Sequence, residues 1–167
     1  REDRAIKSHP AYIDAKAGNV DAAIQLVSDL AAPLKAFVGL FDETTIFVAP
    51  HAKESAGDNA IPIVLSAFLA EHRSALLDDE IVQVNRVYHT GADAMERLIA
   101  PAEFEGEVIS GGSYVIVDDV LTLGGTIADL SSYIQTNGGK VIGVVALVDA
   151  SRSGSLSCNA KVLREIE

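Results

Sequence analysis

Two adjacent carboxylates beside a glycine pair are the residues of this chain best suited to chemistry. Asp118 and Asp119 end an apolar run that begins at Tyr114, and Gly124 and Gly125 follow shortly after them. Neighbouring like charges repel each other, and a buried unpaired carboxylate is costly. We therefore expect both acids to lie where water and a ligand can reach them.

The residues from Thr122 to Thr126 predict the start of a helix. Backbone N–H groups at a helix N-terminus lack partners within the helix and favour an anion, and threonine hydroxyls add donors. Gly124 and Gly125 permit a tight turn and close approach of a ligand to the backbone. Carboxylates for hydroxyl groups, followed by donors for a phosphate, match a ribose 5-phosphate. The alternative is an ordinary strand–turn–helix, which needs one aspartate and neither glycine.

The elements that position these residues alternate between strands and helices. A helix is predicted for "NVDAAIQLVSDL" with Asn19 as its cap, and another for "AIPIVLSAFLAEH" with Pro62 in its first turn. Apolar runs predict strands at "AFVGLF", "TTIFVAP", "IVQVNRVYH", "YVIVDDV" and "VIGVVALVDA", the last two buried, and a helix over 125–136. This order predicts an α/β fold with a central, mostly parallel sheet flanked by helices. Ligands of such sheets bind outside the carboxyl ends of the strands.

The segment "YVIVDDVLTLGGT" resembles the phosphoribosyl pyrophosphate (PRPP) motif of the type I phosphoribosyltransferases. The resemblance implies that Asp118 and Asp119 engage the ribose hydroxyls and serve as the catalytic acids. It implies that the 5′-phosphate is held by the loop residues Thr122, Leu123, Gly124, Gly125 and Thr126. The same resemblance implies a phosphoribosyltransferase-like fold with a small hood formed by the chain ends.

The family also has a pyrophosphate-binding loop between a strand and a helix, ahead of the PRPP motif. The segment "VAPHAKESAGDNAIP" occupies that place and is longer and more polar than the usual loop. Ala52, Lys53 and Glu54 are the predicted turn that meets pyrophosphate. For His51 and Lys53, an ordinary solvated loop position remains the alternative.

The excursion 88–113 corresponds to the family's flexible loop, which closes over PRPP and excludes water. Tyr88, His89 and Thr90 lie at its start, and Arg86 lies just before it. These four residues are the predicted ligand contacts. The excursion contains a single basic residue, Arg97, which a solvated helix position explains equally well.

Composition restricts the partners. The formal net charge is −11, which disfavours a grip on nucleic acid, and no apolar run is long enough to cross a membrane. Cys158 is the only cysteine, so a disulfide framework is excluded and a cytoplasmic location is expected. We expect one domain over 1–167, with a core at about 35–150 and a peripheral or hood role for 1–34 and 151–167. Because the chain starts at Arg1 rather than methionine, we expect it to be part of a longer polypeptide.

Two function classes follow from the resemblance. The first is an enzyme, a phosphoribosyltransferase that binds PRPP with Mg²⁺ and transfers the phosphoribosyl group to or from a nitrogenous base or a related acceptor. The Mg²⁺ would be bound through PRPP and water, without direct protein ligands, and a homodimer is expected. The second is a non-catalytic regulatory protein that senses PRPP or a nucleotide on the same fold. A different phosphosugar binder on a related fold is a third reading.

Overall fold

A four-stranded parallel sheet forms the centre of this computed structural model, which describes residues 3–51, 59–84 and 101–150. The strands are Ile46–Val48 (β1), Leu76–Asp78 (β2), Val82–Gln83 (β3), Phe104–Glu105 (β4), Ser113–Leu121 (β5) and Lys140–Asp149 (β6). The helices are Asp3–Lys7 (α1), Tyr12–Lys16 (α2), Val20–Leu30 (α3), Leu34–Val38 (α4), Ile61–Arg73 (α5) and Gly125–Thr136 (α6). The sheet order is β2–β1–β5–β6, and the predicted α/β fold with a central parallel sheet is confirmed.

One face of the sheet is covered by the helices that precede it and by α5. Val115 and Val117 of β5 pack there with Phe47 of β1. The helices contribute fully buried side chains to the same cluster, among them Ile6, Leu26, Leu65 and Leu69. Helices α1, α2 and α3 therefore share the main apolar core with the sheet.

The opposite face is covered by α6 and by the short antiparallel pair β3–β4. Tyr114 and Ile116 of β5 contact the buried face of α6, which consists of Ile127, Leu130 and Ile134. Phe104 of β4 packs in the same cluster. Alternate residues of β5 thus serve two cores, as expected for a strand covered on both faces.

Local signals explain where the main helices begin. The Asn19 side chain accepts a hydrogen bond from the Ala22 N–H at 3.0 Å and caps α3 as predicted. Pro62 lies in the first turn of α5, where its missing N–H costs nothing. No helix among the described residues is long and apolar enough to cross a membrane.

The strand predicted for "AFVGLF" is wrong, because α4 occupies Leu34–Val38. Pro33 lies at the N-cap with φ −63°, ready for a helix, and leucine, lysine and alanine that follow favour helix over strand. Only Val38 of this helix is buried, whereas Phe37 is largely exposed. The apolar residues of this segment therefore lie on a helix that is mostly at the surface.

The strand predicted for "IVQVNRVYH" is wrong as a member of the parallel sheet. In its described part, Val82–Gln83 pairs antiparallel with Phe104–Glu105, and residues from 85 onward lie outside the described ranges. The sheet position is taken by β2, Leu76–Asp78, which the sequence analysis missed. The predicted burial of "VIGVVALVDA" is also wrong in part, since β6 is the last strand of the sheet in the described part of the chain, with Ile142 and Val144 about half exposed.

The second half of the predicted flexible excursion is packed against the fold. The Ala102 N–H donates to Asp129 Oδ2 at 2.9 Å, and the Tyr133 hydroxyl donates to the Gly106 carbonyl at 2.7 Å. Phe104 is buried beside α6. The expectation of a movable lid is therefore wrong for residues 101–113.

Candidate functional site

The candidate site is built on the part of β5 that extends beyond its neighbour β1. Pairing with β1 ends at Ile116, opposite Val48, whereas pairing with β6 continues to Leu121. Asp118 and Asp119 lie in this extension, at the carboxyl end of a central parallel strand. The predicted place of the acid pair, at the ligand edge of the sheet, agrees with this geometry.

Asp119 is buried, and Lys16 provides its counter-ion. Lys16 Nζ lies 3.0 Å from Asp119 Oδ2, and the two side chains are 38% and 6% exposed, respectively. The expectation that both acids remain open to water is wrong for Asp119. Its charge is tolerated at this position because the lysine compensates it.

Sequence reasoning missed Lys16. It is the last residue of α2, between two alanines, and lies 103 residues from Asp119 in the chain. No motif marks it. The only available signal was indirect: two acids at the end of a buried strand require a cation from some other element.

Asp118 is the acid with the more unusual ionisation. Its Oδ1 accepts a hydrogen bond from the Asp119 N–H at 2.8 Å. Burial, together with the negative charge of Asp119, raises the pKa of Asp118 to about 7, against a smaller lowering by Lys16. A carboxyl group that is partly protonated near neutral pH can both accept and donate a proton, as general acid–base chemistry requires.

The loop after β5 leads directly into α6. Gly124 is the N-cap residue, with φ +74°, and no side chain among the described residues caps the helix. The Ala128 N–H is bonded to the Gly124 carbonyl at 2.8 Å, so the preceding amides of the first turn have no partner within the helix. Gly124 is required by its left-handed backbone, which strains other residues.

Gly125 differs from Gly124 in that its backbone conformation does not require glycine. Outside its own helix backbone and chain neighbours, a Cβ atom added there would meet no atom of the described residues within 4 Å, so packing in the described part of the fold does not explain the glycine. Thr122 and Leu123 are exposed, and Thr126 is half-buried. Acceptors at Asp118 and amides without partners inside α6 therefore flank a loop whose residues Thr122 and Leu123 are exposed.

The other predicted contacts lie outside the described residues. These are Ala52, Lys53 and Glu54 of the pyrophosphate loop, and Arg86, Tyr88, His89 and Thr90 of the flexible loop. His51, which precedes the first loop, has Nδ1 at 2.8 Å from the Ala49 carbonyl and Nε2 at 3.2 Å from the Asp79 carbonyl. At the other end, Asn59 Oδ1 accepts from the Ile61 N–H at 3.2 Å.

The start of α5 is also held by α2. The Ala60 N–H donates to the Ala15 carbonyl at 3.0 Å. Ala15 is fully buried in the core on that face of the sheet. The residue next to Lys16 is thus bonded to the segment that follows the predicted pyrophosphate loop.

Comparison with known proteins gives partial similarities. No family model matches the chain. Protein TraN of Escherichia coli is 40% identical over 162 residues, covering 94% of this chain and 35% of that protein. An orotate phosphoribosyltransferase of Hahella chejuensis is 38% identical over 78 residues, covering 44% of this chain and 35% of that protein. The chain therefore spans about a third of the length of these curated relatives.

Among solved structures, an adenine phosphoribosyltransferase from Thermoanaerobacter pseudethanolicus superposes with a TM-score of 0.47 at 20% identity. The match covers 80% of this chain and 71% of that chain. In sequence, the chain is thus similar to TraN along nearly all of its own length and to an orotate phosphoribosyltransferase over less than half of it.

Proposed function

We propose that this chain binds PRPP and transfers its phosphoribosyl group to or from a nitrogenous base or a related acceptor. The observation that carries the proposal is the acid pair on the part of β5 that extends beyond β1, followed by the start of α6, which no described side chain caps. The open space at Gly125 supports close approach of a phosphate to the backbone. Identity to an orotate phosphoribosyltransferase supports the same class.

In the proposed reaction, a nitrogen of the acceptor forms a bond to C1 of the ribose. The bond from C1 to the pyrophosphate oxygen breaks, and pyrophosphate leaves with the bonding electrons. Positive charge develops on the ribose as this bond lengthens, and the ionised carboxylate of Asp118 would stabilise it. Asp118, whose pKa is raised to about 7, is the candidate to accept the proton that the nitrogen loses.

Mg²⁺ is expected to accompany PRPP. The described residues include no group of three or more His, Cys, Asp or Glu side chains that could hold a metal ion. The oxygen atoms of Asp118 suit a contact through the water shell, which Mg²⁺ gives up reluctantly. Bound in this way, the ion would neutralise charge on the pyrophosphate.

The second candidate function is a PRPP or nucleotide sensor without catalysis. The burial of Asp119 against Lys16 favours it, because this ion pair leaves Asp118 as the member of the acid pair that a ligand can contact. Such a protein would still use the helix start of α6 for the phosphate.

Calorimetry with Mg²⁺ and PRPP, followed by an assay of pyrophosphate release over a panel of nitrogen acceptors, separates these functions. We expect binding by the wild-type chain, weakened by Asp118→Asn and unchanged by Asp21→Asn. Asp21 is an exposed acid on α3 and serves as the matched control. Binding without release for any acceptor would indicate the sensor. Absence of binding would refute both functions.

A further inference from the structure

The C-terminal end of α2 contacts both parts of the candidate site. The Ala15 carbonyl accepts from the Ala60 N–H at 3.0 Å, where α5 begins, and Lys16 Nζ lies 3.0 Å from Asp119 Oδ2. Two consecutive residues therefore join the start of α5 to the acid pair of β5. The ion pair of Lys16 is therefore accompanied by a backbone hydrogen bond between the neighbouring residue and a second element, unlike an isolated ion pair at the surface.

Lys16 compensates part of the negative charge of the acid pair. Asp118 is partly exposed and its neighbour Asp119 is buried, so their mutual repulsion and their repulsion of an anionic ligand are screened less than in water. Lys16 compensates one of the two charges, and it favours the ionised form of Asp118 against burial and Asp119. The three side chains together carry at most one negative charge.

We propose that Lys16 is a positioning residue of the ligand site, which fixes Asp119 and lowers the charge of the acid pair so that an anionic sugar phosphate can bind beside it. This inference rests on the proposed function. Lys16 acts through Asp119 rather than by touching the ligand. The N-terminal segment that carries it is, on this view, part of the site.

Three substitutions test this role. Lys16→Gln removes the charge, Lys16→Arg keeps it, and Lys140→Gln is the matched control at an exposed lysine of β6. The measurements are the affinity for Mg²⁺ with PRPP and the titration of the Asp118 carboxyl carbon by NMR. We expect Lys16→Gln to weaken PRPP binding by about tenfold or more and to raise the pKa of Asp118. Lys16→Arg should restore both, and the control should change neither.

A double variant, Lys16→Gln with Asp119→Asn, separates action through Asp119 from direct contact. It also avoids the uncompensated buried charge that threatens folding of the single variant. If Lys16 acts through Asp119, the double variant binds PRPP more tightly than Lys16→Gln alone. Equal or weaker binding by the double variant would overturn the inference.

The NMR titration keeps this inference distinct from the proposed function. If the wild-type chain binds no PRPP, the proposed function fails, and the Asp118 titration alone decides the role of Lys16. A pKa of Asp118 that is the same in the wild type and in folded Lys16→Gln would then overturn it.

Discussion

The ammonium nitrogen of Lys16 lies 3.0 Å from Oδ2 of Asp119, across 103 residues of sequence. The contact joins a short N-terminal helix to the central strand of the sheet. Only one partner is deeply buried, since the lysine side chain keeps 38% of its surface exposed and the aspartate keeps 6%. Losing the lysine therefore harms the fold more than losing the aspartate charge, because the buried partner is left uncompensated.

Lys16→Met is expected to destabilise the protein by about 1–3 kcal/mol, less than for a fully buried pair because the lysine is partly solvated. Asp119→Asn should cost less, and the double variant should be more stable than the sum of the two losses predicts. Urea unfolding of the four proteins measures this coupling, with Lys140→Met as the control. Strictly additive losses would show that the ion pair contributes nothing to stability.

The raised pKa of Asp118 predicts a dependence of stability on pH. Its usual value is 3.8, and burial and Asp119 raise it to about 7, opposed by Lys16. Between these values the native state holds a proton that the unfolded chain has lost. The contribution of this group to the free energy of unfolding therefore falls as pH rises from about 4 to about 7 and stays unfavourable above that.

Asp118→Asn removes the unfavourable contribution that ionised Asp118 makes to the free energy of unfolding. Relative to the wild type, the variant should gain stability as pH rises from about 4 to about 8, as measured by urea unfolding at several pH values. A difference in unfolding free energy that does not vary over this range would contradict the raised pKa. Asp21→Asn, at an exposed acid of α3, should show no such trend.

Gly125→Ala separates folding from ligand binding. Because no atom of the described residues outside the local helix backbone lies within 4 Å of the added Cβ, we expect a change in unfolding free energy within about 0.5 kcal/mol. PRPP binding should nevertheless weaken, since the methyl group stands where the phosphate is proposed to approach. Gly124→Ala should instead destabilise the protein by about 1–2 kcal/mol, because φ is +74° there. Unchanged PRPP affinity of Gly125→Ala would place the phosphate elsewhere.

Gly106→Ala tests the packing of the segment that follows Pro101. A Cβ there would overlap the Glu80 carbonyl and lie 2.8 Å from the Ile81 Cα, and φ is +132°. We expect a loss of about 3 kcal/mol or more in unfolding free energy. Gly111→Ala is the control, with positive φ but no atom within 4 Å, and should cost about 1–2 kcal/mol. Equal losses of unfolding free energy for Gly106→Ala and Gly111→Ala would mean that the backbone around Gly106 shifts to accommodate the added Cβ at little cost.

The sequence predicted those helices and strands that contain a capping residue, a first-turn proline or a long apolar run. Asn19 and Pro62 fixed the starts of α3 and α5, and the apolar run before Asp118 identified β5. The apolar residues around Phe37 misled because burial depends on tertiary contacts, and α4 exposes that side chain. β2 was missed because three residues are too few to show a period.

For the candidate site, the sequence located the acid pair and the loop before α6 but not their charge balance. Adjacent acids and paired glycines are visible in one short segment. Lys16 reaches Asp119 only through the fold, so no local pattern could connect the two. Roles for the residues outside the described ranges, such as Lys53 and Arg86, stay predictions.

The separation of Lys16 from Asp119 also bears on how the protein folds. Contacts between distant parts of a chain form slowly, because a long loop must be closed before the contact stabilises it. A sheet that assembled before α2 docked would bury Asp119 without its counter-ion. We therefore expect docking of the N-terminal helices and completion of β5 to be one cooperative event. The acid pair should be among the last parts of the molecule to reach its native contacts.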